Sequence, residues 1–274
     1  MGATSAERYA VVSCHVERPL DDAVWARFSA LQEARPGGLR IAALMRPADA
    51  AFGEDEAVWV ERAREAAARG PLGHHTHWTA PDHARPTSLV TDRHKRLSGA
   101  APGDEEELVT DRYKAPGERV RDEVARLRAL GLAPTLFCGG GWYTDLEVVE
   151  ACADLGYVDC TPRATRPPYL DEDAPWASLG TPAAVGLPSG RTLRAIPTTH
   201  TLGDLARALS RRRLPELVHV YFHDTDLLDT RRRALLRVTL ALLARRASAT
   251  DLDTLAAHAF PGAPSVSWND VARL

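Results

Sequence analysis

The sequence predicts an α/β fold: one parallel βα barrel domain of about seven strands, closed or nearly closed. Three observations carry that expectation. Short apolar runs of strand length alternate with segments whose apolar residues recur every three or four positions. The strand-like runs are nearly continuous in hydrophobicity, as strands covered on both faces are. No internal repeat divides the chain, and 274 residues suffice for one large domain. Right-handed crossovers then bring the C-terminal ends of the strands to one face.

Tyr9 to Cys14 (YAVVSC) reads as the first strand. Asp21 to Glu33 is helical, because Val24, Phe28 and Leu31 recur at helical intervals, with Asp21 or Asp22 as N-cap. Leu39 to Leu44 is the second strand, Asp55 to Arg69 a helix closed by Gly70, and Leu72 to His75 the third strand. From Ala80 to Pro116 the pattern weakens. Pro81, Pro86, Pro102, Gly99, Gly103 and the acidic run Asp104 to Glu107 predict a long loop excursion beside the site. Glu118 to Leu130 is a helix, Thr135 to Cys138 a strand, Asp145 to Leu155 a helix ended by Gly156, and Tyr157 to Cys160 a strand. Arg163 to Gly190, rich in Pro and Gly, reads as loop. Thr192 to Ile196 is a strand, Gly203 to Arg212 a helix, and Val218 to Phe222 a strand of high β-propensity. Leu235 to Ala244 and Leu252 to Ala257 are helical.

A hydrophobic content of 45% and a charged content of 26% are those of an ordinary globular protein. The net charge of −3 leaves no basic surplus to neutralise a nucleic-acid backbone. Arginine clusters at 211–213, 231–233 and 245–246 sit on helical patterns and read as solvated faces. Met1 to Tyr9 holds Glu7 and Arg8 and no apolar core of signal-peptide length. No stretch approaches the roughly 18 apolar residues of a membrane span. The expected setting is cytoplasmic, without a membrane partner. The four cysteines have no CxxC spacing and are expected as buried free thiols.

Three strand ends carry paired metal-type ligands: His15-Val16-Glu17, His75-Thr76-His77 and His223-Asp224. Side chains i and i+2 of a strand share a face, so His15 goes with Glu17 and His75 with His77. A catalytic zinc-type site takes three protein ligands and leaves a position for water. Glu17, His75 and His77 supply a two-histidine, one-carboxylate set. Such an ion acidifies water toward ~7 and polarises a carbonyl. His15 is the candidate base or an alternative ligand. His223 is the candidate acid, with Asp224 orienting it or acting as base. Three imidazoles in His74 to His77 make poor core packing. His83, His94, His219 and His258 have no pattern and read as surface or core. Trp78, Trp142 and Tyr143 suit stacking on a sugar ring.

The order of these pieces, from Tyr9 to about Phe260, resembles the NodB-homology polysaccharide deacetylases, carbohydrate esterase family 4. Gly73-His74-His75-Thr76-His77-Trp78 is similar to the His-x-His form of the family's second motif. Phe137-Cys138-Gly139-Gly140-Gly141-Trp142 resembles its third, and Val220-Tyr221-Phe222-His223-Asp224 its last. The resemblance is greatest to the divergent branch of WbmS type. It implies a single-domain distorted (β/α)7 barrel over 1–274, a divalent metal, commonly zinc, and removal of acetyl from N-acetylated sugars. Gly140 and its neighbours would offer backbone N–H groups to an oxyanion. The implied partner is a small N-acetylated sugar or glycoside. Two positions depart from the family. His15 stands where its base aspartate belongs, and Cys138 where an arginine holds that aspartate. An imidazole base needs no cationic partner, so the two changes are mutually consistent. Thr79 stands where the longer second motif has its distal histidine, which leaves the third ligand open between His77 and His15. A barrel that binds without turnover, and a hydrolase of another amide or an ester, are the rival expectations.

Overall fold

The computed structural model describes residues 8–48, 53–77, 116–167, 170, 174–211 and 214–273. Trp78 and nearly all of the excursion expected at about 80–116 lie outside the described residues.

Strands and helices alternate as β1 (Tyr9–Val16), α1 (Asp22–Ala34), β2 (Ile41–Met45), α2 (Glu56–Arg69), β3 (Leu72–Thr76), α3 (Pro116–Ala129), β4 (Leu136–Gly139), α4 (Leu146–Leu155) and β5 (Val158–Asp159). They continue as β6 (Trp176–Ala177), β7 (Ala183–Gly186), β8 (Thr192–Ala195), β9 (His200–Thr201), α5 (Leu202–Ser210), β10 (Leu217–His223) and α6 (Thr230–Leu243). The last are β11 (Ser248–Ala249), α7 (Leu252–Ala259), β12 (Ser265–Ser267), α8 (Trp268–Val271) and β13 (Ala272–Arg273). Side chains with short polar ends start the helices. Asp21, Asp55, Asp145, Asp229 and Asp251 each accept backbone N–H groups of the first turn of α1, α2, α4, α6 and α7.

The sheet runs β12-β7-β8-β5-β4-β3-β2-β1-β10-β9, parallel from β8 to β9. One extended stretch links the two ends of the parallel part. The first half of Thr192–Thr201 pairs with β5 and its second half with β10. Between them Thr198 N–H donates to the carbonyl of Pro162, and Thr199 N–H to that of His219. Seven positions therefore go round a distorted ring: β1 to β5, the Thr192–Thr201 stretch, and β10.

Residue parity follows from that ring. Ala10, Val12, Cys14 and Val16 of β1 face outward onto Trp25, Phe28 and Leu31 of α1 and Trp59 and Ala63 of α2. Val11 faces inward, with Ala42 and Leu44 of β2, Leu136 and Cys138 of β4, Ile196 and Tyr221. Leu252 and Leu255 of α7 complete this interior. Contacts from Asp251 to Arg40 and from Thr135 to Asp253 seat α7 below the N-terminal ends of β2 and β4. The opposite end, where the strands finish, is left for chemistry. Gly73 shows how full the interior is: a Cβ there would lie 2.2 Å from Leu44 Cδ2 and 3.0 Å from Leu136 Cβ.

The structure adds short elements to those expected, β9, β11, β12, β13 and α8, and differs in two further places. The segment Arg163 to Gly190, read as loop, holds β6 and β7, and β7 runs antiparallel to β8. Its alternating Ala183 and Val185 are the only buried positions of a four-residue strand set between Pro182 and Pro188, too short a signal against that punctuation. Helix α6 begins at Thr230 instead of Leu235, because Asp229 caps a first turn in which Arg231 is exposed while Arg232 and Arg233 reach back to Asp226 and the Leu227 carbonyl. Among the described residues no helix is long and apolar enough to cross a membrane.

Candidate metal centre

The strand registers gather the site. In the β1–β10 pair His15 lies beside His223, and in the β3–β4 pair His75 lies beside Cys138. Glu17 follows immediately after β1. Its carboxylate is the meeting point: Oε1 lies 3.2 Å from His75 Nε2 and 3.9 Å from His223 Nε2, and Oε2 touches His77 Nε2. Three overlapping groups have ligand atoms within 4.8 Å of one another: Glu17 with His75 and His77, His15 with Glu17 and His223, and His15 with His75 and Cys138. Glu17 also borders an open depression of about 410 Å3, with Arg18, Asp21 and Arg46 on its walls.

The orientation of His75 decides what this cluster can hold. Its Nδ1 lies 2.8 Å from the carbonyl oxygen of Cys138, which can only accept, so Nδ1 carries the hydrogen. In the neutral ring Nε2 then presents a lone pair, and it points at a carboxylate oxygen that is also an acceptor. Two acceptors 3.2 Å apart, both buried, call for a positive centre between them. A divalent cation fits that donor set of imidazole nitrogen and carboxylate oxygen. The Cys138 carbonyl is the kind of outer partner that fixes a ligating imidazole.

Burial sets the protonation states. It pushes the Glu17 carboxyl up, but the imidazoles of His77 and His75 outweigh it and hold the group well below the usual carboxylate range. Burial drives His15 well below the usual imidazole value, and the neighbouring His75 and His223 push the same way. Burial also lowers His77 and His223, partly opposed in both by Glu17. The His15 ring sits 4.5 Å from His75, 5.2 Å from Trp142 and 5.3 Å from Tyr221, centre to centre. Its Nε2 is 3.6 Å from Cys138 Sγ, and burial pushes that thiol up, so it is a neutral partner.

Several expected site residues lie elsewhere or do other work. Tyr143 belongs to the outer core with Val148 and Tyr157, and its hydroxyl donates to Asp145 at 2.6 Å; it does not reach the strand-end cluster. Asp224 is fully buried and does not orient His223. Its carboxylate accepts the N–H of Arg18 at 2.9 Å and of Thr225 at 2.8 Å, clamping the turn after Glu17. Burial raises that carboxyl to about 7. The backbone of His223 is tied instead to Asp226, at 3.1 Å. Gly140 is a packing glycine: a Cβ would meet Thr76 O at 2.8 Å and His77 Cα at 3.1 Å. The Gly139 N–H is engaged by Thr161 Oγ1 at 2.8 Å, which removes it from any oxyanion hole. Trp142 does stand against His15, on a backbone with φ 68, a strained value for a non-glycine residue. His74 faces outward, where Glu123 of α3 takes its Nε2 at 2.7 Å and Thr76 Oγ1 at 2.7 Å. Burial pushes Glu123 up, but His74 and Arg119 hold it down at about 2. Strand parity alone assigns His74 to the face opposite His75, so the run His74 to His77 carries two candidate ligands and one scaffold residue.

Gly140→Ala is expected to shift the β3 end against β4. The overpacking cost is about 1–3 kcal/mol, read as a lower denaturation midpoint.

Another residue of the interior is His219, whose Nε2 meets Ser13 Oγ at 2.9 Å and Nδ1 the carbonyl of Pro197 at 3.2 Å. Burial lowers it to about 4. Its folded value lies below the unfolded ~6.5, so the unfolded chain binds the extra proton first. The stability it supports is complete above ~6.5 and falls as pH drops toward 4, by about 3 kcal/mol. Chemical denaturation of wild type and His219→Gln at pH 7.5 and pH 4.5 checks this. The wild type is expected to lose the larger part, and equal pH dependence in both proteins would refute the assignment.

The fold and the site thus define an α/β barrel with an imidazole–carboxylate centre at its strand ends. No family model and no curated protein matches the chain. Among solved structures it is similar to the 4-alpha-glucanotransferase from Thermococcus litoralis, with a TM-score of 0.54 and 12% identity over 96% of this chain and 42% of that one. The chain spans less than half of that enzyme's length, and the likeness is one of fold. It is also similar to the family 4 carbohydrate esterase from Streptomyces lividans, at a TM-score of 0.42 and 12% identity over 88% of each chain. WbmS from Bordetella bronchiseptica, described as a polysaccharide deacetylase involved in O-antigen biosynthesis, gives a TM-score of 0.42 and 13% identity over 92% of this chain and 90% of that one.

Proposed function

We propose that the protein is a metal-dependent hydrolase that removes acetyl from an N-acetylated sugar or a sugar-containing metabolite. The observation that carries this reading is the pair of facing acceptors, His75 Nε2 and the Glu17 carboxylate, with the imidazole locked from behind by the Cys138 carbonyl. The motif resemblance in β3, β4 and β10 supports the same reading.

Glu17, His75 and His77 would hold the ion. A divalent cation in such a site supplies Lewis-acid polarisation of an acyl carbonyl and acidification of water. The remaining work falls to the chain. His15, kept neutral by burial, accepts a proton on a ring wedged among His75, Trp142 and Tyr221. His223, 20% exposed at the rim, delivers a proton to the departing amine. Trp142, packed against the His15 ring, would keep water from that side of it. Asp224 keeps the Glu17–Arg18 turn in place.

The test is acetate release from N-acetylglucosamine and its oligomers by the zinc-loaded protein, with His223→Ala alongside. Release in the wild type that falls by about 10²–10⁴ in the variant is expected. Tight zinc and sugar binding with no acetate from any substrate selects a binding barrel. Cleavage without acetate selects another amide or an ester.

A further inference from the structure

Arg163 is the one arginine that is buried among the described residues, 8% exposed, and no described carboxylate pairs with it. The contrast with its peers is informative. Arg46, Arg62 and Arg119 are each largely covered and each meets an acid: Glu54, Asp22 and Glu123. Arg163 instead stacks its guanidinium over Trp142, 4.6 Å from the ring centre, and over Tyr221, at 5.2 Å. Its Nε is buried and has no hydrogen-bond partner. The acid nearest in sequence, Asp159, accepts the N–H of Thr161 through one oxygen; its other oxygen is buried without a partner and makes no ion pair with Arg163. The position is not adjustable. Arg163 N–H donates to Ala177 O at 3.1 Å and its carbonyl accepts Leu179 N–H at 2.8 Å, which anchors the backbone after β5.

Ring faces satisfy the flat sides of a guanidinium but leave the buried Nε–H of Arg163 unmet. A buried cation with an unmet edge is costly unless an anion joins it. That edge is a fork matched to a planar, bidentate acceptor. The two stacking rings are the same two that lie 5.2 Å and 5.3 Å from His15, so the fork sits one aromatic layer from the candidate base. The imidazoles that feel it, His200 and His219, are lowered by burial and add no positive charge. One cation among neutral rings balances one negative charge. A phosphate monoester carries nearly two.

We propose that Arg163 is an anion-binding residue of the substrate pocket, and that the acylated substrate carries a carboxylate. The location of the acyl group rests on the hydrolase reading; the anion site does not.

The test uses metal-free full-length protein and three ligands built on one ring: N-acetylglucosamine, its C6 uronate and its 6-phosphate. Calorimetry is expected to give the uronate an affinity at least tenfold above the neutral sugar. In Arg163→Gln that ratio falls to about one. With 15N-arginine labelling, the Arg163 Nε–H resonance of the wild type shifts saturably with the uronate, a readout that needs no variant to fold. Arg163→Lys, which keeps the charge and loses the fork, retains only part of the preference. Equal binding of uronate and neutral sugar, or a preference undiminished in Arg163→Gln, overturns the proposal. A phosphate ester bound more tightly than the uronate overturns the carboxylate assignment. Arg163-dependent uronate binding with no acetate released by the zinc-loaded protein upholds the anion site and removes the hydrolase reading alone.

Discussion

On the proposed hydrolase reading, His75→Ala is expected to leave the purified protein without stoichiometric zinc and without acetate release, and Glu17→Gln to do the same. The loss of zinc affinity exceeds the roughly 10–100-fold that removal of an outer partner costs. Glu17 has the largest expected effect because its two oxygens face three imidazoles, His75, His77 and His223. Gln replaces one of those oxygens with a donor and removes the charge. Zinc at 100 times its dissociation constant is expected to stabilise the wild type by about 2.7 kcal/mol, and neither variant to gain this. His74→Ala is the control. Its ring is turned to Glu123, so it loses stability, by about 1–3 kcal/mol for the acid left behind, and keeps zinc. Metal content after dialysis, with thermal shift with and without zinc, separates the three variants. Full zinc content and unchanged hydrolysis in His75→Ala would remove the centre as described.

Cys138→Arg is expected to unfold or strongly destabilise the protein, and His15→Asp in the same chain to rescue it. Cys138 has no exposed surface and packs among Leu44, Leu136 and Trp142. A guanidinium there is a buried charge without a partner, worth about 3–5 kcal/mol of destabilisation. His15→Asp alone is harmful in the opposite sense, adding a carboxylate beside Glu17 in a dry interior. Because His15 Nε2 and Cys138 Sγ are 3.6 Å apart, the double replacement sets the new acid against the new base. The expected coupling is about 0.5–3 kcal/mol in favour of the pair, measured by denaturant titration of all four proteins. Additive losses would mean that the two positions are not coupled.

The parts of the fold that announced themselves were those where local chemistry and global packing agree. VHVYF in β10, the near-continuous YAVVSC of β1 and the Asp-capped helices could each be read from a few residues. The alternation in β1 and β3 puts His15 with Glu17 and His75 with His77. What escaped was non-local. Arg163 looks like any arginine in a Pro-rich segment until Trp142 and Tyr221 close on it. Tyr143 shares a dipeptide with Trp142, yet a φ of 68 at Trp142 turns the chain so that the two rings enter different cores. His219 lacked any motif because its partner, Ser13, is 206 positions away.

That separation has a kinetic meaning. His15 becomes a neighbour of His223 only when β1 is zipped to β10, a pairing across most of the chain. Contacts of such sequence distance form slowly, because the entropy of closing the loop is lost before they stabilise anything. During synthesis the N-terminal half can offer Glu17, His75 and His77 long before the rim histidine exists. On the proposed reading, metal capture and catalytic competence would be separable events in maturation, the second waiting on β10 to dock.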